Sequence, residues 1–204
     1  MTITELRQIA DERFELTLSN GEKFKVTLND VADYSLYTGR ELSDDELEEV
    51  RAAAALSRCK DRALRIIGAR AMSERALYDR LVEKGEAERD AAAAVAWLVE
   101  LRLLNDADYA AMLVRHYAAK GYGPRRVRDE LFKRKVPREL WDEALEELPE
   151  QDDAVDRLLR SRLRGADPED RTALKKATDA LLRRGFSWEE IKTAVERYRV
   201  EDYD

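Results

Sequence analysis

Cysteine is almost missing from this sequence: Cys59 stands alone. An internal disulfide is thereby excluded, and such usage fits a reducing, cytoplasmic setting. Histidine is equally scarce, with His116 its one representative. No Cys/His cluster offers transition-metal ligands, and no cofactor is expected. No glycine-rich loop follows a strand to hold a nucleotide. Eight glycines and four prolines in 204 residues leave little material for loops, so long helices with short connections are favoured. Aromatics make up only 7% of the chain, which implies a thin core. No apolar run approaches the ~18 residues of a membrane span. The opening MTITELRQIADERFELT lacks the apolar stretch of a secretion signal. His116 reads as a surface or half-buried helix residue and Cys59 as a small apolar filler. Carboxylates are abundant in DDELEEV and DEALEELPEQDD, but there they suit solvated helical faces. The residues therefore argue against an enzyme.

What is plentiful is charge, at 40% of residues, and helical periodicity. The first segment is the exception. ERFELTLSNGEKFKVTLND alternates apolar and polar residues with period two, through Phe14, Leu16, Leu18 and then Phe24, Val26, Leu28. This predicts a half-buried hairpin with Asn20-Gly21 in its turn. A two-residue loop would set the two apolar sets on opposite faces, so an odd loop or a bulge is expected. A hairpin alone is marginal in water, so a further strand is expected near Thr2–Gln8. Helices are expected at about Asn29–Thr38 and Ser43–Leu56, the second opened by a Ser43/Glu46 capping box.

From residue 57 onward the pattern is helical and it repeats. SERALYDRLVEKG (73–85), GPRRVRDELFKRK (123–135) and ALKKATDALLRRG (173–185) align at a spacing of 50 residues. Leu77, Val127 and Ala177 coincide, as do Leu81, Leu131 and Leu181. The next helix coincides at Ala94, Ala144 and Ala194. Such self-similarity marks stacked supersecondary units. The fold class is mainly α: three tandem three-helix repeats of helix-turn-helix character over 57–104, 105–149 and 150–204, after a small sheet element in 1–56. Helices are expected at about 58–70, 73–84 and 87–101, at 106–120, 124–135 and 137–148, and at 150–164, 168–184 and 188–199. Gly85, Gly121 and Gly185 sit at helix ends. Pro124, Pro137, Pro149 and Pro168 sit near helix starts. Ser73, Asn105, Asp167 and Ser187 are the expected N-caps.

Charge is unevenly spread. The chain is −7 overall, yet Arg115 to Arg138 holds nine Lys/Arg against two acids. Arg157 to Arg184 holds nine against four, whereas residues 1–56 hold six against thirteen and are not expected to meet phosphate. The helix 124–135 is expected to bury Val127, Leu131 and Phe132. Lys133, Arg134 and Lys135 suit its negative end, but Arg125 and Arg126 lie near its positive end, where the dipole disfavours them. A phosphate or an acidic protein surface would favour them.

At these residues the chain resembles the RecX family, regulators of the recombinase RecA. The resemblance rests on LNDADYAAMLVRHYAAKGYGPRRVRDELFKRKVPRELWDEALEE (104–147). The segments CKDRALRIIGARAMSERALYDRLVEKG, ALLRRGFSWEEIKTAVE and SLYTGRELSDDELEEV add to it. Three positions depart from the family's pattern: Glu86 and Trp141 stand where smaller or apolar residues are usual, and RGADPED enlarges the third repeat. The resemblance implies an elongated curved stack. It also implies a non-enzymatic modulator that lies in the groove of the RecA filament on single-stranded DNA and limits its growth, ATPase and strand exchange. By position, the contact residues are Arg115, Lys120, Arg125, Arg126, Arg128, Lys133, Arg134 and Lys135, followed by Arg162, Arg164, Lys175 and Lys176. Gly121, Gly123 and Pro124 are expected to shape the turn. Direct DNA binding by the three-helix units, without RecA, and a helical scaffold without nucleic acid stay open as alternatives. A monomer is expected because no heptad seam is present.

Overall fold

The N-terminal alternation folds as an antiparallel sheet in the order β1-β2-β3, with β1 at Ile3–Ala10, β2 at Arg13–Leu18 and β3 at Lys23–Thr27. The structure, a computed structural model, describes residues 1–148, 152–164 and 170–201. The hairpin has the odd loop that its pattern demanded. Leu16 pairs with Phe24 and Phe14 with Val26. Leu18 donates its N–H to the Glu22 carbonyl at 2.9 Å, which leaves three loop residues, with Gly21 at φ +84°. One face of the sheet is thus apolar, and Ile3, Leu16, Leu18 and Val26 are buried. Leu28 departs from expectation. It begins α1 (Leu28–Asp33) and is 46% exposed. That helix is shorter than predicted because the chain turns at Ser35, with φ +47°, to bury Leu36 in the same core.

The two helices expected at 43–56 and 58–70 are one, α2 (Asp44–Ala69), opened by the Ser43/Glu46 capping box. The boundary expected at residue 56 therefore falls inside a continuous helix. Leu47, Val50 and Ala54 of α2 pack on the sheet, while Cys59 and Ala63 pack on α3 (Glu74–Glu83) and α4 (Glu88–Glu100). One helix thus serves two cores, because nothing near Leu56 breaks it: the run RAAAALSRCK has no Gly or Pro. Residues Met1–Leu104 form one compact unit and Asn105–Asp204 a second.

The second unit contains α5 (Asp106–Ala119), α6 (Pro124–Lys133) and α7 (Trp141–Glu146), then α8 (Asp152–Leu163), α9 (Arg171–Arg183) and α10 (Trp188–Glu201). A 3-10 turn at Arg138–Leu140 replaces the start of the helix expected at 137–148. Asp170 caps α9, accepting from the Thr172 and Ala173 N–H groups. Asp167, Pro149 and Pro168 lie outside the described residues. Ser73, Asn105 and Ser187 cap their helices as expected. The 50-residue register is a burial register: Leu77, Val127 and Ala177 are all buried, as are Leu81, Leu131 and Leu181.

The same register explains Glu86. Its counterparts Val136 and Phe186 are buried apolar residues, and Glu86 is buried too. Its carboxylate pairs with Arg62 at 2.6 Å and Arg58 at 3.3 Å, both from α2. Burial, with the Glu86 and Asp90 charges nearby, pushes the neighbouring Cys59 thiol up to about 11, so it is an inert core filler. A buried pair adds little over an apolar side chain of similar size, but half a pair is costly. Glu86→Leu should therefore unfold in urea within about 1 kcal/mol of the parent, whereas Arg58→Ala/Arg62→Ala should lose about 3 kcal/mol. Equal costs for the two variants, read from Trp97 fluorescence, would contradict the pairing.

Candidate functional site

The site is built on α6. Its inner face is Val127 and Leu131, both fully buried. Arg125, Arg128, Asp129 and Phe132 are exposed and follow one another at helical spacing. Phe132 corrects the expectation: it is 62% exposed, outside the core. The buried stripe of α6 holds two residues, Val127 and Leu131, and Val136 from the following turn fills the third place in the core. The Arg138 guanidinium lies 6.0 Å from the Phe132 ring and 5.6 Å from the Trp141 ring. Trp141 is half-buried and donates its indole N–H to the Val136 carbonyl at 3.1 Å.

The start of α6 is closed by the protein itself. The donors there are met from within. Gly123 N–H donates to the Arg184 carbonyl at 2.8 Å, and Arg125 N–H to the Gly185 carbonyl at 3.1 Å. The carbonyl end of α9 thus caps the amide end of α6, and opposite dipole ends meet. Arg184 strengthens the joint by donating from Nη1 to the Lys120 and Gly121 carbonyls at 3.0 and 3.1 Å. Gly121, at φ +72°, shapes the turn as expected, but Gly123 has an ordinary φ of −80°. What Gly123 supplies is room: a Cβ there would lie 2.6 Å from the Gly185 oxygen.

Arg126 is explained by Glu130, the centre of an ionic cluster. Glu130 pairs with Arg134 at 2.5 Å, Lys133 at 3.2 Å and Arg126 at 3.3 Å. Arg134 also donates to the Tyr117 hydroxyl at 2.6 Å. Burial alone would push the Glu130 carboxyl up, but hydrogen bonds from Arg134, Lys133 and Tyr117 outweigh it and hold the group at about 2. A depressed carboxyl stabilises the fold above its unfolded value, near 4.5, and loses that contribution as pH falls toward 2. Glu130→Gln should therefore flatten the loss of stability between those two pH values. A chemical-denaturation series across that window would show it. An unchanged slope would mean that the cluster is not formed.

The predicted contact residues thus fall into two groups. Arg126, Lys133 and Arg134 are engaged by Glu130, and Arg115 pairs with Glu147 at 2.5 Å. Lys120 lies 5.5 Å from the Tyr117 ring centre. Lys135 takes a left-handed φ of +57°, where its counterparts Gly85 and Gly185 have glycine. Arg125 and Arg128, by contrast, are exposed and have no ion pair among the described residues. The same holds for Arg162 at the end of α8, Arg164 just after it, and Lys175 and Lys176 on α9. Sequence reasoning missed Glu130, Arg184, Phe132 and Arg138. The first was readable, since Arg126, Glu130 and Arg134 stand four residues apart. Arg184 was not, for its partners lie more than sixty residues away.

His116 is exposed and packs edge-on to Tyr117. Among the described residues no group of three His, Cys, Asp or Glu side chains is placed to hold a metal ion. None of their helices is long and apolar enough to cross a membrane.

Comparison with known proteins agrees with this geometry. Models of the first, second and third three-helix domains of RecX match residues 59–98, 105–145 and 150–195. Regulatory protein RecX of Vibrio campbellii is 30% identical over 137 residues, covering 67% of this chain and 88% of that protein. The Stenotrophomonas maltophilia R551-3 protein of the same description is 38% identical over 143 residues, covering 69% and 86%. That of Enterococcus faecalis is 30% identical over 201 residues, covering 96% and 75%. A crystal structure of regulatory protein RecX superposes with a TM-score of 0.76 at 22% identity, over 94% of this chain and 98% of that one, which shows a shared fold. Three matched domains in the order of the 50-residue register, and relatives aligned along most of their length, place the chain: it belongs to the RecX family of regulatory proteins.

Proposed function

We propose that this chain is a non-enzymatic regulator that binds the RecA nucleoprotein filament on single-stranded DNA and restrains its growth, ATPase and strand exchange during recombination and DNA repair. It acts as a monomer in the cytoplasm. The observation that carries the reading is the set of unengaged cations on the helices of the second unit: Arg125 and Arg128 on α6, Lys175 and Lys176 on α9, and Arg162 and Arg164 at the end of α8. A cation already paired inside the protein gains less from a phosphate or carboxylate partner than an unpaired one does. Unpaired ones gain fully, and they steer association. Family membership supports a RecA-related role, and the scarcity of nucleophile, base and metal ligands supports a regulator over an enzyme.

The test is the single-stranded-DNA-dependent ATPase of RecA from the same organism, titrated with this protein. Suppression at substoichiometric protein is the expected result. Unchanged turnover, with both proteins folded and active, would refute the reading in favour of direct DNA binding. That alternative predicts affinity for naked DNA that falls by about 0.9 log units per log salt for each duplex phosphate neutralised.

A further inference from the structure

The first unit holds a second cationic site that linear charge counting hides. A cavity of about 640 Å³ runs between β3 and α2. From α2 it is lined by Arg51, Arg58, Arg62 and Arg65, and from β3 by Lys23 and Lys25. With Arg13 these make seven cations, against two acids, Glu22 and Asp61, among the described lining residues. The four α2 arginines stand along one face over about 21 Å of helix. Residues 1–56 taken together are strongly acidic, but their acids mostly face elsewhere. The groove draws Arg58, Arg62 and Arg65 from beyond residue 56, on the helix that runs through that point.

Five of its seven cations are paired within the protein, Lys23 with Glu15 at 3.8 Å among them, and the pairs fix where these side chains stand along the groove. Arg51 is fixed by Glu22 and by Glu48 at 2.6 Å. Arg58 and Arg62 are tethered by the buried Glu86. Arg13 pairs with Asp61 at 2.6 Å. Among the described residues Lys25 has no ion-pair partner, and Arg65 donates its Nε to the Asp61 carbonyl at 3.3 Å, so both charges remain available. Arg13 and Asp61 also line a neighbouring cavity of about 560 Å³, whose other walls include Asp11, Glu12, Asp30 and Asp33. The cationic run therefore ends at the Arg13–Asp61 bridge, where the lining changes sign.

We infer that the groove between β3 and α2 binds the sugar-phosphate backbone of a single nucleic-acid strand. A row of arginines and lysines along an open channel is what a polyanion requires. A bound acidic peptide would draw affinity from apolar anchors in pockets. Here the apolar lining, Phe24, Val26, Ala54 and Ala55, is already buried or half-buried. The site lies outside the surface assigned to the recombinase, and its test contains no recombinase, so neither result decides the other.

The experiment is anisotropy of a short fluorescent oligothymidylate titrated with the full chain over a series of salt concentrations. Lys25→Glu/Arg65→Glu changes the two cations without an ion pair among the described residues, so the fold should persist. Arg70→Glu/Arg89→Glu, both exposed and outside the groove, matches the charge change. The expected result is at least tenfold weaker binding for the groove variant and near-parental binding for the control. Lys25→Ala/Arg65→Ala should lower the salt slope by about 1.4, at 0.7 per phosphate contact on a single strand. Equal losses in both reversal variants would mean non-specific attraction and overturn the site. So would absence of binding by the parent, or capture of a labelled polyglutamate peptide in preference to the oligonucleotide.

Discussion

Gly185→Ala should cost the second unit about 3–4 kcal/mol, the largest effect of any single methyl group considered for this protein. Two causes add. Gly185 has φ +91°, a conformation that costs an L residue about 1–2 kcal/mol. A Cβ there would also stand 2.3 Å from the Arg126 nitrogen and 3.0 Å from its Cα. These are backbone atoms at the start of a helix and cannot rotate aside. Relief requires α6 and α9 to separate, which breaks the two hydrogen bonds that join them, at about 1 kcal/mol each. Gly123→Ala meets the same wall from the other side, with no penalty from φ, and should cost about 2–3 kcal/mol. Gly85 is the internal control. It shares the positive φ, at +85°, but a Cβ there meets nothing within 4 Å. Gly85→Ala should cost about 1 kcal/mol, the conformational part alone. Trp141 and Trp188 report on unit 2 and Trp97 on unit 1, so urea titrations followed by fluorescence separate the cases. If Gly185→Ala and Gly85→Ala cost the same, the joint between the second and third three-helix units is absent in solution.

Reversal of Arg125 and Arg128 to glutamate should raise the amount of protein needed for half-suppression of the RecA ATPase at least tenfold, about 1.4 kcal/mol of binding. Neither arginine has an ion pair among the described residues, so stability should change by less than about 0.5 kcal/mol. Arg126→Glu should behave differently. It sets two carboxylates side by side, because Arg126 pairs with Glu130 at 3.3 Å, and its first effect should be on stability. The contrast between neighbouring arginines separates partner contact from folding. Suppression by Arg125→Glu/Arg128→Glu equal to that of the parent would remove α6 from the contact surface. A loss matched by Arg70→Glu/Arg89→Glu would reduce the effect to net charge.

Much of the architecture was written in short-range pattern. Ser43 with Glu46, Asn105 and Ser187 placed their helix starts, since a cap is a contact between residues two or three apart. The parity of the SNG turn followed from the alternation of side chains across a strand. The 50-residue register identified the buried stripe in all three helical units, because each unit solves the same packing problem with the same helix period. Where the reading went astray, the deciding neighbour was distant. Phe132 has the composition of a core residue, and only the return of Val136 leaves it outside. The start of α6 looked open, yet the Arg184 and Gly185 carbonyls of the following three-helix domain close it. The acidic N-terminal segment hides a cationic groove because α2 carries three arginines into it from beyond the expected boundary. Helix period and capping act within a turn or two of chain, so residue order determined the elements and their buried faces. Which charges stay unpaired depends on partners brought together from far along the chain, and that was decided by the tertiary structure.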